Sequence, residues 1–136
     1  METTEHIRKC LSQDRFAAHC GIELISVEPG CARVKMTVEP THWNGLGTIQ
    51  GGAIFTLADF AFAAASNSHG TIAVAINVNI SFMKAVKTGT LWAVAREVSR
   101  SFKIANYTVE VKDDGDELVA LFQGMVYRKK EPLPVE

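Results

Sequence analysis

The clearest alternation in the chain lies in CARVKMTVEP, residues 31–40, where Ala32, Val34, Met36 and Val38 share one face and Arg33, Lys35, Thr37 and Glu39 the other. A period of two with one apolar and one polar face predicts an antiparallel strand that covers a core on one side only. A strand over 22–27 precedes it across the turn Glu28-Pro29-Gly30. Downstream, TIAVAINVNISF places Ile72, Val74, Ile76, Val78, Ile80 and Phe82 on one expected face and Ala73, Ala75, Asn77, Asn79 and Ser81 on the other. TLWAVAREV, ANYTVEV and ELVALFQGMVY predict three more strands, the last two joined by Asp113-Asp114-Gly115-Asp116, a strong hairpin signal.

Two stretches leave this rhythm. Residues 3–18 carry weak helical spacing (Ile7, Cys10, Leu11, Phe16) that ends before Gly21. From 51 to about 68, GGAIFTLADFAFAAASNS predicts a long helix, with His69-Gly70 as its stop. That helix is apolar nearly all round, so it is expected to be buried and wrapped. Helix, two strands, buried helix, four strands implies an α+β fold, a curved six-stranded antiparallel sheet around one long helix, with a short N-terminal helix. Residues 1–136 read as a single domain.

Charge and cysteines narrow the setting. A formal net charge of −1 excludes a global attraction to nucleic acid or to an anionic membrane, so any anion site is local. METTEHIRKC lacks the apolar segment of a signal peptide, and no apolar window reaches the roughly 20 residues that span a bilayer. Cys10, Cys20 and Cys31 are odd in number and lack metal spacing, which suits reduced thiols in a cytoplasmic protein with no metal and no cofactor.

The candidate chemistry sits in NGLGTIQGGAIFTLAD, residues 44–59. Between Gly51 and Ala65 the only charged side chain is Asp59. A carboxylate in such surroundings is either a structural acid hydrogen-bonded in the core or a cleft acid with a raised pKa, suited to activating water. Gly51 and Gly52 open the helix, where backbone N–H groups lack partners and the dipole favours negative charge. A general base and an N–H donor for an oxyanion are the two halves of an acyl-transfer site. Asp59 follows Gly51 by eight positions, however, about 12 Å at ~1.5 Å per residue. One copy cannot bring both to one carbonyl. Two copies with these helices antiparallel about a two-fold axis can, so the site is expected to be shared by a homodimer.

With these residues in place, the chain resembles the hotdog-fold acyl-CoA thioesterases of the phenylacetate-pathway type. HCGIELISVEPGCARVKM resembles their opening hairpin, NGLGTIQGGAIFTLAD their signature loop and helix, and SFMKAVKTGTLWAVAREV the strand pair that follows. The resemblance implies an acyl-CoA substrate, with coenzyme A as part of that substrate, and dimers that pair into tetramers. It implies Asp59 as general base or nucleophile, Gly51 as the oxyanion donor and Asn44 as a positioning residue. Gln50 stands where the family usually has histidine, and Asn77 lies near Ala75, a position where some relatives orient water by a hydroxyl. Lys84, Lys87, Arg100 and Lys103, with Arg128, Lys129 and Lys130, are candidates for the phosphates of coenzyme A. The rival readings are a non-catalytic acyl-CoA sensor and an acyl hydratase or dehydratase.

Overall fold

The computed structural model describes residues 3–134. In chain order its elements are α1 (Thr3–Leu11), α2 (Arg15–His19), β1 (Ile22–Glu28), β2 (Cys31–Thr37), a 3-10 turn over Pro40–His42, α3 (Gly51–Ser66), β3 (Thr71–Phe82), β4 (Thr90–Arg100), β5 (Ile104–Lys112) and β6 (Leu118–Pro132). The six strands form one antiparallel sheet in the order β1-β2-β4-β5-β6-β3. α3 lies along its concave face, so the α+β architecture expected from the patterning is the one observed.

The alternation explains the packing. Val34 and Met36 of β2, Leu91, Ala93 and Ala95 of β4, Val109 and Val111 of β5, and Phe122 of β6 are fully buried towards the helix. They meet Leu57, Ala58, Ala61, Ala64 and Ala65 of α3, also fully buried. Small residues let sheet and helix approach closely. At Gly124 an added Cβ would lie 2.6 Å from the Phe62 ring, which leaves room only for glycine.

Elsewhere the structure departs from the pattern. The N-terminal helical stretch is broken, because Asp14 ends it and caps a second helix by accepting a hydrogen bond from the Ala17 N–H at 3.0 Å. β3 carries an irregularity between Ala75 and Asn77 that resets its faces. Ala75 pairs with the buried Val126, whereas Asn77 pairs with Met125, so Val78 and Ile80 turn inward as Val74 and Ile76 do not. Val74 and Ile76 are 39% and 52% exposed, contrary to the single apolar face expected for this strand. Finally, α3 is not covered all round. Gly52 is exposed and Ala53, Thr56, Asp59 and Ala63 are half-buried, an open strip at helical spacing.

No helix among the described residues is long and apolar enough to cross a membrane.

Candidate active site

The start of α3 is held by a loop organised around Asn44. Its Oδ1 accepts from the Leu46 N–H at 2.8 Å and the Thr48 N–H at 3.2 Å, while its Nδ2 donates to Thr48 Oγ1. Gly47 takes φ +78°, a left-handed conformation that suits glycine. An antiparallel bridge from Trp43 to Ile49 closes the loop, and the Trp43 indole N–H donates to the Lys87 carbonyl at 2.9 Å. The carboxamide of Asn44 therefore faces its own loop. Its bonds hold the loop that leads into α3.

His42 anchors the same segment from below. It is buried, its Nδ1 accepts from the Glu39 N–H at 3.0 Å, and its Nε2 lies 2.8 Å from the Cys20 carbonyl. These partners assign the ring proton to Nε2 and fill both nitrogens with structural bonds.

Gln50 is the N-cap of α3, and its side chain makes no capping bond. The amide instead folds over Gly52, where a Cβ would meet its Oε1 at 2.9 Å. The N–H groups of Gly51 and Gly52 find no acceptor among the described residues. Donors of this kind at a helix start are ready for an anionic oxygen. The pattern alone gave no hint of what stands over Gly51: a Cβ there would lie 3.2 Å from Cζ of Phe82. This ring, 51% exposed, walls one side of the helix start.

Asp59 lies two turns further along the open strip. No donor among the described residues reaches its carboxylate, and none of its oxygens is sealed from solvent. Burial, reinforced by the nearby Asp14 carboxylate, raises its pKa above the usual aspartate range. Such an acid holds its proton more strongly than an exposed aspartate, so once ionised it is a stronger base towards water. The bland alternative of a hydrogen-bonded core acid finds no partner here. Between Gly52 and Asp59 on the same strip, Thr56 donates its hydroxyl to the Gly52 carbonyl at 2.7 Å.

The remaining candidates separate. Asn77 pairs with Met125 on the convex face of the sheet, beside Asn79, Asn106 and Gln123, and so points away from α3. Lys84 is engaged by both Asp113 and Glu117, and Arg100 lies 3.7 Å from Glu97. Lys87 sits against the glycine loop, with its Cε 3.9 Å from where a Gly47 Cβ would stand. Lys103 lies in a groove at the other end of β3. Neither of these two is in an ion pair among the described residues. His69 does not close α3 as its position suggested. Asn67 and Ser68 do so, donating to the carbonyls of Ala63 and Ala65, while His69 Nε2 lies 2.7 Å from Glu97.

Known proteins are similar to this chain in sequence and in fold. The profile of the thioesterase superfamily matches residues 46–120, the segment holding the loop, α3 and the strands after it. A protein of Archaeoglobus fulgidus is 46% identical over 82% of this chain and 73% of its own length. The acyl-coenzyme A thioesterase PaaI of Escherichia coli is 39% identical over 85% of this chain and 83% of its own. The structure of E. coli PaaI, a protein of the phenylacetic acid degradation operon, superposes with a TM-score of 0.93 at 33% identity, covering 97% of this chain and 96% of that one. By sequence and by fold, then, the chain belongs to the thioesterase superfamily and is a hotdog-fold thioester hydrolase.

Proposed function

We propose that the protein hydrolyses acyl-CoA thioesters carrying small or medium acyl groups, aryl groups included, at two sites shared by a homodimer. The observation that carries this reading is the unpartnered Asp59 carboxylate, with its raised pKa, on the same open strip of α3 as the glycines that begin the helix. The relative named acyl-coenzyme A thioesterase supports the substrate class.

The geometry that calls for two copies persists in the fold. Gly51 and Asp59 remain on one helix, about 12 Å apart at ~1.5 Å per residue. β3 is an edge of the sheet; Val74 and Ile76 along it, Phe82 at its end over Gly51, and Met83 just after it are exposed. Antiparallel pairing of two β3 edges would cover this edge and the open strip of α3 at once and set Gly51 of one subunit near Asp59 of the other. Pairs of such dimers would form the tetramer.

In the proposed step, ionised Asp59 takes a proton from a water molecule as the water oxygen attacks the thioester carbon. The carbonyl oxygen becomes an oxyanion held by the Gly51 N–H. The C–S bond then breaks, the proton passes to the departing sulfur, and free acid and coenzyme A leave. This step uses only water, a carboxylate and a backbone donor, with no cofactor. Asn44 and Gln50 shape the helix start, while Lys87, Lys103 and Lys130 are the candidate lysines outside ion pairs among the described residues, available to the phosphates of coenzyme A. The three cysteines are unpaired, in keeping with a cytoplasmic setting.

Acid release from a panel of short, medium and phenylacetyl-type CoA thioesters, followed by mass spectrometry, tests the proposal. Turnover in the wild type and its loss in Asp59→Ala is the expected result. Equal rates in the two proteins would remove Asp59 from the mechanism. A single turnover in 18O-labelled water is expected to place the label in the released acid, whereas label in Asp59 would make it the nucleophile.

A further inference from the structure

A water molecule that attacks a thioester must present a lone pair to the carbon, so both of its hydrogens have to be directed elsewhere. A carboxylate base takes one of them. The second needs an acceptor of its own. On a helix the side chains within reach of a given position are those three and four residues away, about 5–6 Å apart at Cβ. For Asp59 these are Phe55, Thr56, Phe62 and Ala63. Of the four, only Thr56 carries a polar atom in its side chain.

Thr56 is half-buried on the same open strip as Asp59, one turn nearer the start of α3. Its hydroxyl donates to the Gly52 carbonyl at 2.7 Å. A hydroxyl has one hydrogen and two lone pairs, so this bond commits the donor and leaves the oxygen able only to accept. It also selects one of the two rotamers open to a helical threonine. Helical side chains lean towards the N-terminus, which tilts the Asp59 carboxylate over the turn that holds Thr56. Neither oxygen group receives a hydrogen bond from the described residues. Two acceptors cannot bond each other, but one water that donates twice joins them. Other polar groups lie elsewhere. Ser66, the second hydroxyl of α3, is buried and donates to the Ala63 carbonyl at 3.4 Å. On β3, Ala75 has no hydroxyl and Asn77 points away from α3.

We propose that Thr56 is a positioning residue for the hydrolytic water, accepting one of its hydrogens while the Asp59 carboxylate accepts the other. This rests on the acyl-CoA thioesterase reading with Asp59 as base. The water is then held with a lone pair turned outward from the strip, towards a thioester whose carbonyl oxygen lies on the Gly51 N–H of the partner subunit. As the new C–O bond forms, the hydrogen shared with Asp59 passes to the carboxylate and later leaves with the sulfur. The hydrogen shared with Thr56 stays on the attacking oxygen and ends in the released acid. Thr56 itself neither gains nor loses a proton. The ordinary reading of a helical threonine bonded to the carbonyl four residues back is purely structural, and it makes no demand on the nucleophile.

Methanol separates the two roles, because it has a single O–H and no second hydrogen to give. With methanol added to the assay, hydrolysis yields the free acid and methanolysis the methyl ester, both measured by mass spectrometry. Thr56→Val keeps the shape and removes the acceptor, whereas Thr56→Ser keeps the acceptor. Thr56→Val is expected to lower kcat for hydrolysis about tenfold with KM unchanged, the scale of one hydrogen bond. Ester formation should hold, so the ester-to-acid ratio rises about tenfold. Thr56→Ser should restore both to wild-type levels. The ratio is internal to one sample and independent of how much protein is folded. An undiminished hydrolysis rate in Thr56→Val, or equal losses with water and methanol, would overturn the assignment and leave the thioesterase reading standing. If methanol yields no ester, the contrast in kcat decides: loss in Thr56→Val recovered in Thr56→Ser supports the role, and equal rates in the two overturn it. A wild type that releases acid from no CoA thioester would overturn the thioesterase reading, and the role of Thr56 with it.

Discussion

In the proposed mechanism Asp59 is the base that activates water, and its environment makes separable predictions. Replacing it with asparagine keeps the shape and removes the base. A general base contributes about 10²- to 10⁴-fold, so kcat for Asp59→Asn should fall by at least that range while KM stays close to the wild-type value. In the wild type, kcat/KM should rise with pH through the raised pKa, because only the ionised form accepts a proton from water. Stability should move the other way. The folded chain holds its Asp59 proton above the ordinary value of 3.8, where the unfolded chain has already released it. Folding is therefore penalised as pH rises through the folded pKa, and the penalty persists at neutral pH. Asp59→Asn should melt higher than the wild type at pH 7, with the difference vanishing below the unfolded value. A lower melting temperature at pH 7 would mean that Asp59 makes a stabilising bond. Glu97 has the opposite sign. Burial pushes its pKa up, but hydrogen bonds from His69 and Tyr107 prevail and hold it below the usual range. Its contribution is present above 4.5 and is lost as pH falls through the folded pKa. The stability cost of Glu97→Gln should accordingly be visible at pH 7 and fade in acid.

At the scale of elements, the central unit is α3 with what grips its two ends. The loop of Asn44 sets its start and the side chains of Asn67 and Ser68 close its end. Its middle is seated by close approach to the sheet. Gly124→Ala tests that seat. The new methyl would press on the Phe62 ring, which also packs on Tyr107 and Phe122 at centroid distances of 5.8 and 5.3 Å. Overpacking of this kind costs about 1–3 kcal/mol, so chemical denaturation should show that loss with little change in kcat. Much of this was legible from the pattern of apolar positions. Strict alternation in β2 identified its buried face, and the apolar run interrupted by Asp59 identified α3 and its start at Gly51. What escaped depended on contacts distant in sequence or on one displaced residue. Nothing in TIAVAINVNISF marks Ile76 as the place where β3 resets its faces, and so the pattern does not show that Asn77 points away from α3. The pairing of Lys84 with Asp113 and Glu117 joins residues far apart in the chain, and no local pattern reveals that this lysine is already engaged. In the pattern Phe82 is one more residue of an apolar strand face, because its place over Gly51 follows from how β3 ends beside α3.

At the scale of the whole molecule, the proposed mechanism needs Gly51 and Asp59 at one carbonyl, and a single α3 holds them about 12 Å apart at ~1.5 Å per residue. In the proposed dimer a second copy covers the uncovered strip of α3 and the free edge of β3. Disrupting that edge, for example with Ile76→Lys, is expected to yield a folded monomer without thioesterase activity, as seen by sedimentation and circular dichroism. The central claim is that each site takes Asp59 from one chain and Gly51 from the other, and co-expression tests it most directly. Asp59→Asn and Gly51→Val chains carrying different tags can be purified as the mixed dimer and assayed with the best CoA thioester. Each variant alone should be inactive, whereas the mixed dimer holds one intact site of two and should recover about half the wild-type rate. A mixed dimer as inactive as its parents would contradict a shared site.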